Sequence, residues 1–256
     1  MSDLKKERTK IEKIALVLGV TVIAAALLAV PINTATITAE ARQVEKVVFL
    51  DHGKNSQKEN KGHNNLHSTS HDPCGEGSNK FAFIDGKISW TQTPVAYYID
   101  LSNFVETNSA SAAQAEDAIV ASFNTWANEI RPRGPLFVQV FDPSEAQVNV
   151  SFGSYDGQDG VVGVTAVTYV TQSHEIIQAS VLLDSDDSWF IGEENTCIGS
   201  GTSFDIQSVA THEVGHVLGL DHVDDSQLTM YPYVTTGETL KRTLGLGDSR
   251  GLSKLY

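Results

Sequence analysis

The chain has 256 residues, with 18 Lys and Arg against 32 Asp and Glu, a formal net charge of −14, and 41% hydrophobic and 20% charged residues. That balance excludes a wholly disordered chain, a collagen-like repeat and a multi-pass membrane protein. The acidity is concentrated in residues 74–256, which hold 8 basic and 24 acidic groups. A surface of that sign repels phosphate backbones and argues against nucleic acid as a partner.

The N-terminus has the layout of an export signal. Lys5, Lys6, Arg8, Lys10 and Lys13 precede an uncharged run of seventeen residues from Ile14 to Val30, closed by Pro31 and followed by Ala39-Glu40-Ala41. Basic, apolar, then small-x-small is the order of a cleavable signal peptide. The run also reaches the lower limit of roughly 17–25 residues that span a bilayer as a helix, so an uncleaved membrane anchor is the alternative for residues 1–41. Either reading puts the remainder outside the cytoplasm, secreted or on the outer face of the membrane. In that compartment two distant cysteines most often pair, which suggests a Cys74–Cys197 disulfide.

Residues 42–79 read as a polar linker or a short pro-segment, because 51–73 carry almost no apolar side chain. His52, His63, His67 and His71 fall there, in an Asn/Ser/Gly-rich context that does not favour a metal-binding helix. From residue 80 a domain pattern begins. Strands are expected over Pro94–Asp100, Leu136–Phe141, Val148–Phe152, Val161–Val170 and Ile176–Leu183. An amphipathic helix over Ser109–Ile130 aligns Ala115, Ile119, Phe123 and Trp126, a second helix begins near Asp205, and a third covers Asp248–Leu255. Strands followed by late helices predict one α+β domain over 80–256.

The chemistry lies between His212 and Met230. His212-Glu213-Val214-Gly215-His216 puts two imidazoles about 40° apart in azimuth on adjacent helical turns, a spacing that suits one zinc ion. Glu213 projects beside them, placed to act as general base. Gly219 can end the helix with φ > 0, and His222 can then return as a third ligand. Three protein ligands leave a position for water, the catalytic arrangement. Glu238 is the only candidate for the alternative architecture with a distant glutamate ligand, and His222 makes it unnecessary.

HExxHxxGxxH followed by Met230, in Leu228-Thr229-Met230-Tyr231-Pro232-Tyr233, resembles the metzincin zinc proteases and, among them, the matrixins. Similar stretches are Phe204–Ala210, Asp184–Trp189 and Asp248–Tyr256. The resemblance implies a zincin-like α+β fold with a twisted, mostly parallel five-stranded sheet, a long active-site helix and two further helices. It implies a monomeric endopeptidase acting on protein or peptide substrates, with one catalytic Zn²⁺, Met230 in the turn beneath it, and Pro232 and Tyr233 on the substrate pocket. It also implies a calcium site at Asp156, Asp184 and Asp187. The positions of the family's second, structural zinc hold Asn149, Ser151, Val164 and Leu182, so no zinc is expected there. Matrixin zymogens present a cysteine to the zinc, and Asp72-Pro73-Cys74-Gly75 keeps a loose trace of that motif, so Cys74 has two readings, disulfide or latency switch. The reading from another class is a surface binding or assembly protein that keeps a zincin scaffold without turnover.

Overall fold

The computed structural model describes residues 12–14, 43–54, 77–107, 109–192 and 201–256. The strands are β1 (Glu12–Ile14), β2 (Val44–Lys54), β3 (Ala82–Phe83), β4 (Val95–Asp100), β5 (Phe137–Gln139), β6 (Val148–Gly153), β7 (Val161–Val170), β8 (Glu175–Asp184), β9 (Trp189–Phe190), β10 (Phe204–Asp205), β11 (Leu220–Asp221) and β12 (Tyr233–Thr235). The helices are α1 (Ala112–Ile130), α2 (Ile206–Val217) and α3 (Leu246–Leu255).

The five strands expected from the sequence form one sheet in the order β7-β8-β6-β4-β5. Three of its four pairings are parallel, and β7 runs antiparallel at the edge. Alternation explains the packing: Val148, Val150 and Phe152 of β6 all point inward, as do Ala179, Val181 and Leu183 of β8. Helix α1 starts in a capping box in which Ser111 Oγ accepts from Gln114 N and Gln114 Oε1 accepts from Ser111 N. Its stripe of Ala115, Ile119, Phe123 and Trp126 is fully buried, with Phe123 stacked on Tyr97 of β4 at 4.0 Å. Trp126 Nε1 donates to Thr211 O of α2 at 2.7 Å, so the two helices are joined by a hydrogen bond inside their apolar contact.

The sheet does not stop at β7. Residues 44–54, expected within a solvated segment, form a strand antiparallel to β7 from Val44↔Val170 to His52↔Val161. On its other edge β2 pairs with β1 near its start and in parallel with β12 near its end. The polar composition of 51–73 hid the preceding alternation, in which Val47, Phe49 and Asp51 turn to the buried face. Apart from Ile14 in β1, the apolar run expected as signal or anchor lies outside the described residues, as do the histidines 63, 67 and 71 and both cysteines. No helix among the described residues is long and apolar enough to cross a membrane.

Trp126→Ala removes a fully buried indole and its bond to Thr211. The expected loss is ~3–5 kcal/mol of unfolding free energy, read from urea denaturation.

Candidate active site and metal centre

Helix α2 is fixed at its first turn. The Asp205 carboxylate caps it by accepting from Ser208 N at 2.8 Å, takes Gly192 N at 3.0 Å, and pairs with both Arg242 Nε and Nη2. One turn further on, His212 and His216 stand side by side with no solvent exposure. Gly219 then adopts φ +102°, and a Cβ there would lie 2.2 Å from Ile88 O, so glycine alone makes this turn. The turn returns His222 to the other two.

The three Nε2 atoms converge, at 3.1 Å for His212–His216, 3.2 Å for His212–His222 and 3.0 Å for His216–His222. His212 Nδ1 faces Thr229 O at 2.5 Å and His216 Nδ1 faces Leu220 O at 2.8 Å. Carbonyls only accept, so these two rings carry their proton on Nδ1 and turn the Nε2 lone pair inward. Burial drives the pKa of His212 down to about 4 and that of His216 well below the imidazole range. Lone pairs converging in a dry pocket repel one another unless a cation sits among them. Tetrahedral zinc with nitrogens at 2.0–2.1 Å sets them roughly 3.3–3.4 Å apart, close to the observed triangle. The residues fit the metal.

Glu213 lies alongside. Thr165 Oγ1 donates to its Oε2 at 2.5 Å, while Oε1 has no hydrogen-bond partner. Its carboxylate is set flush against β7: a Cβ on Gly163 would fall 1.9 Å from Oε1. Burial, then the charge of Asp51, pushes the Glu213 carboxyl well above its usual range.

The methionine turn is held from below by a residue the sequence reading did not single out for it. Asp248, in the first turn of α3, accepts from Thr229 N, Met230 N and Gly245 N at 2.8, 3.2 and 2.8 Å. Met230 is buried, and its carbonyl takes Val223 N at 3.0 Å. Pro232 O accepts from His52 N, and Tyr233 pairs in β12 opposite His52, so both expected pocket residues face β2. Lys241, also not foreseen, is 1% exposed: its Nζ donates to Tyr231 O and lies 3.2 Å from His212 Nδ1, and burial lowers its pKa.

Asp51 is the largest addition to the expected site. Its Oδ1 is 2.8 Å from His222 Nε2 and 2.9 Å from His212 Nε2, and its Oδ2 is 3.8 Å from His216 Nε2. Among the described residues, Asp51, His212, His216 and His222 are the one group of three or more whose possible ligand atoms lie within 4.8 Å of one another. The signal was present in the sequence as an acid in phase with Val47 and Phe49 on an inward strand face, where a carboxylate needs a positive partner.

The loops bearing Asp156, Asp184 and Asp187 meet at the start of β7. Asp184 accepts from Tyr155, Asp156 and Asp186 N–H groups, and Asp156 accepts from Val161 N. Asp187 accepts from Asp159 N through Oδ1, while its buried Oδ2 has no partner. Burial, with the neighbouring charges of Asp184, Asp159 and Asp156, lifts the Asp187 carboxyl to about 7 against the pull of that N–H.

A helix offering two imidazoles, a glycine turn supplying a third and a methionine turn underneath are the defining arrangement of a metzincin. The matrixin family model matches residues 89–256, and the chain belongs to that family. Among curated relatives it is similar to karilysin of Tannerella forsythia, 28% identical over 70% of this chain and 35% of that protein. It is likewise similar to metalloendoproteinase 1-MMP of Arabidopsis thaliana, 26% identical over 75% of this chain and 48% of the relative. Human neutrophil collagenase is 28% identical over 72% of this chain and 37% of the relative. The chain thus spans about a third to a half of the length of these proteins.

Two outcomes are expected here. Asp248→Ala leaves three buried N–H groups without an acceptor at ~1–3 kcal/mol each. Zinc affinity should fall together with stability in that variant, and Asp248→Asn, which keeps one oxygen, should lose less; denaturation and metal titration read both. Asp187 holds its proton more tightly folded than unfolded, so its contribution is full near pH 4 and is lost as pH rises to about 7. Without divalent cations, unfolding free energy should fall across that window, and Asp187→Asn should flatten the slope in urea titrations at stepped pH.

Proposed function

We propose that residues 80–256 form a zinc-dependent endopeptidase that hydrolyses peptide bonds in protein or peptide substrates, as a monomer, secreted or held on the outer face of the membrane. The observation that supports it is the triangle of inward Nε2 atoms beside the unpartnered Glu213 Oε1. His212, His216 and His222 would hold zinc, which when bound polarises a carbonyl and lowers the pKa of water towards ~7. Glu213 is the general base: Thr165 fixes Oε2, which leaves Oε1 to take a proton from the attacking water and pass it to the leaving amine. Substrate lies extended along the edge of β7 over Gly163–Val167, with Pro232 and Tyr233 lining the pocket for the residue after the cleaved bond. The basic, apolar, Ala-x-Ala start of the chain supports export.

Calcium belongs to the same reading. The buried carboxylates of Asp184 and Asp187, with the orphaned Asp187 Oδ2, and the exposed carboxylate of Asp156 are oxygen donors of the kind Ca²⁺ takes, and the ion would fasten the loops that precede β7 and follow β8.

Because residues 44–54 lie across the cleft, the test compares the full chain and Glu213→Gln before and after nicking by trypsin, with trypsin then inhibited. Both proteins should bind one zinc. Cleavage of a mixed peptide library should be chelator-sensitive in the nicked wild type and about 10²–10⁴-fold slower in Glu213→Gln. One zinc in both with equal, absent cleavage would favour the non-catalytic surface protein instead.

A further inference from the structure

The sheet edge and the wall between which a substrate would lie are both occupied by the chain's own residues 44–54. Strand β2 pairs antiparallel with β7 along one side, and His52, Gly53 and Lys54 pair in parallel with Tyr233, Val234 and Thr235 on the other. Backbone bonds tie the last residues of this strand to both flanks, from His52 N to Pro232 O at 3.2 Å and from Gly53 N to Gly160 O at 2.9 Å. Lys54 Nζ lies over the Tyr233 ring at 4.4 Å.

The side chains are set for the metal centre. Period-two alternation buries Val47 and Phe49, and Phe49 stacks on the His216 ring at 4.0 Å and 11°. The third inward position is Asp51. The register shifts between Asp51 and His52, where Val162 of β7 is left unpaired as a bulge opposite them. Asp51 is fully buried, Oδ1 meets two Nε2 atoms, and Oδ2 has no hydrogen-bond partner. A cation at the centre of the histidines would meet this carboxylate and the Nε2 lone pairs of His212 and His216 together.

We propose that Val44–Lys54 is an inhibitory segment whose Asp51 carboxylate is the fourth protein ligand of the zinc, which keeps the uncut chain latent. Catalytic zinc sites keep one position open, whereas sites with four protein ligands are closed. Asp51 takes the position where water would stand between the histidines and Glu213, and β2 takes the edge where substrate would pair. The strand is held by pairing, two apolar anchors and one ligand. It stays because its link through residues 55–76 gives it an effective concentration in the millimolar range, and a cut anywhere in that link makes it a separate peptide that dilution removes. The same geometry fills the position a Cys74 thiolate would need, which leaves Cys74 to the disulfide reading.

The proposal rests on the zinc-peptidase reading, and its test separates the two. Full-length wild type, Asp51→Asn and Asp51→Ala are loaded with zinc, and metal transfer to a chromogenic chelator is timed; circular dichroism identifies which variants are folded. Loss of the ligand should speed transfer by at least ~10-fold in Asp51→Ala, and also in the near-isosteric Asp51→Asn, which guards against misfolding. In parallel, a protease-specific sequence placed within residues 55–76 allows clean nicking. A synthetic peptide of residues 43–54 should inhibit the nicked enzyme, and its Asp51→Ala form should be weaker by about 30-fold or more. Unchanged metal transfer in both folded variants, or equal inhibition by the two peptides, overturns the proposal while leaving the peptidase standing. Accelerated transfer with no cleavage from any nicked form upholds Asp51 as ligand and defeats the peptidase reading instead.

Discussion

Three imidazole nitrogens converge 3.0–3.2 Å apart on rings of which two are fully buried, and the two lone pairs that His212 and His216 turn inward favour a cation between them. That constraint organises the rest of the molecule. The surroundings are acidic, with Asp51, Glu213, Glu238 and Asp248 gathered about one buried lysine, Lys241. Burial raises the Glu213 and Glu238 carboxyls, and a dication among the histidines would draw them back towards the charged form. A site of this kind has little freedom to relax, because every group that could neutralise another is already engaged with backbone or fixed by packing.

The supports come from distant parts of the chain and converge on the same few atoms. Asp205 ties the start of α2 to Arg242, and Trp126 ties its middle to α1. Thr229 O and Leu220 O set the ring planes of His212 and His216, and Asp248 sets Thr229 in turn. A chain of hydrogen bonds therefore runs from the last helix through the methionine turn to a ligand nitrogen. The buried methionine packs against Gly215 of α2, and Asp248 holds the backbone of the turn that carries it.

The sequence made much of this legible where periodicity carried the signal. The alternating strands β6, β7 and β8 and the stripe of α1 could be placed to within a residue or two, and the three histidines follow from helical geometry and one glycine. What escaped were contacts fixed by tertiary approach. No local pattern marks Thr165 as the partner of Glu213 across two elements, Lys241 as a buried cation, or Asp248 as an acceptor for a turn eighteen residues away. Strand β2 escaped for a different reason. Its apolar half ends where a polar tract begins, and composition averaged across that boundary concealed the alternation of Val47, Phe49 and Asp51.

An enzyme that binds extended peptides must leave a strand edge unpaired, and such an edge is also a template for unwanted pairing. Strand β2 resolves the conflict for β7 by occupying the edge from within the same chain. Its apolar side chains anchor it as a good substrate would be anchored, while Asp51 supplies a group that water and a peptide carbonyl cannot displace without first losing a buried charge–charge contact. Edge protection and control of the chemistry then depend on one segment, and both end in a single event when its covalent link is broken.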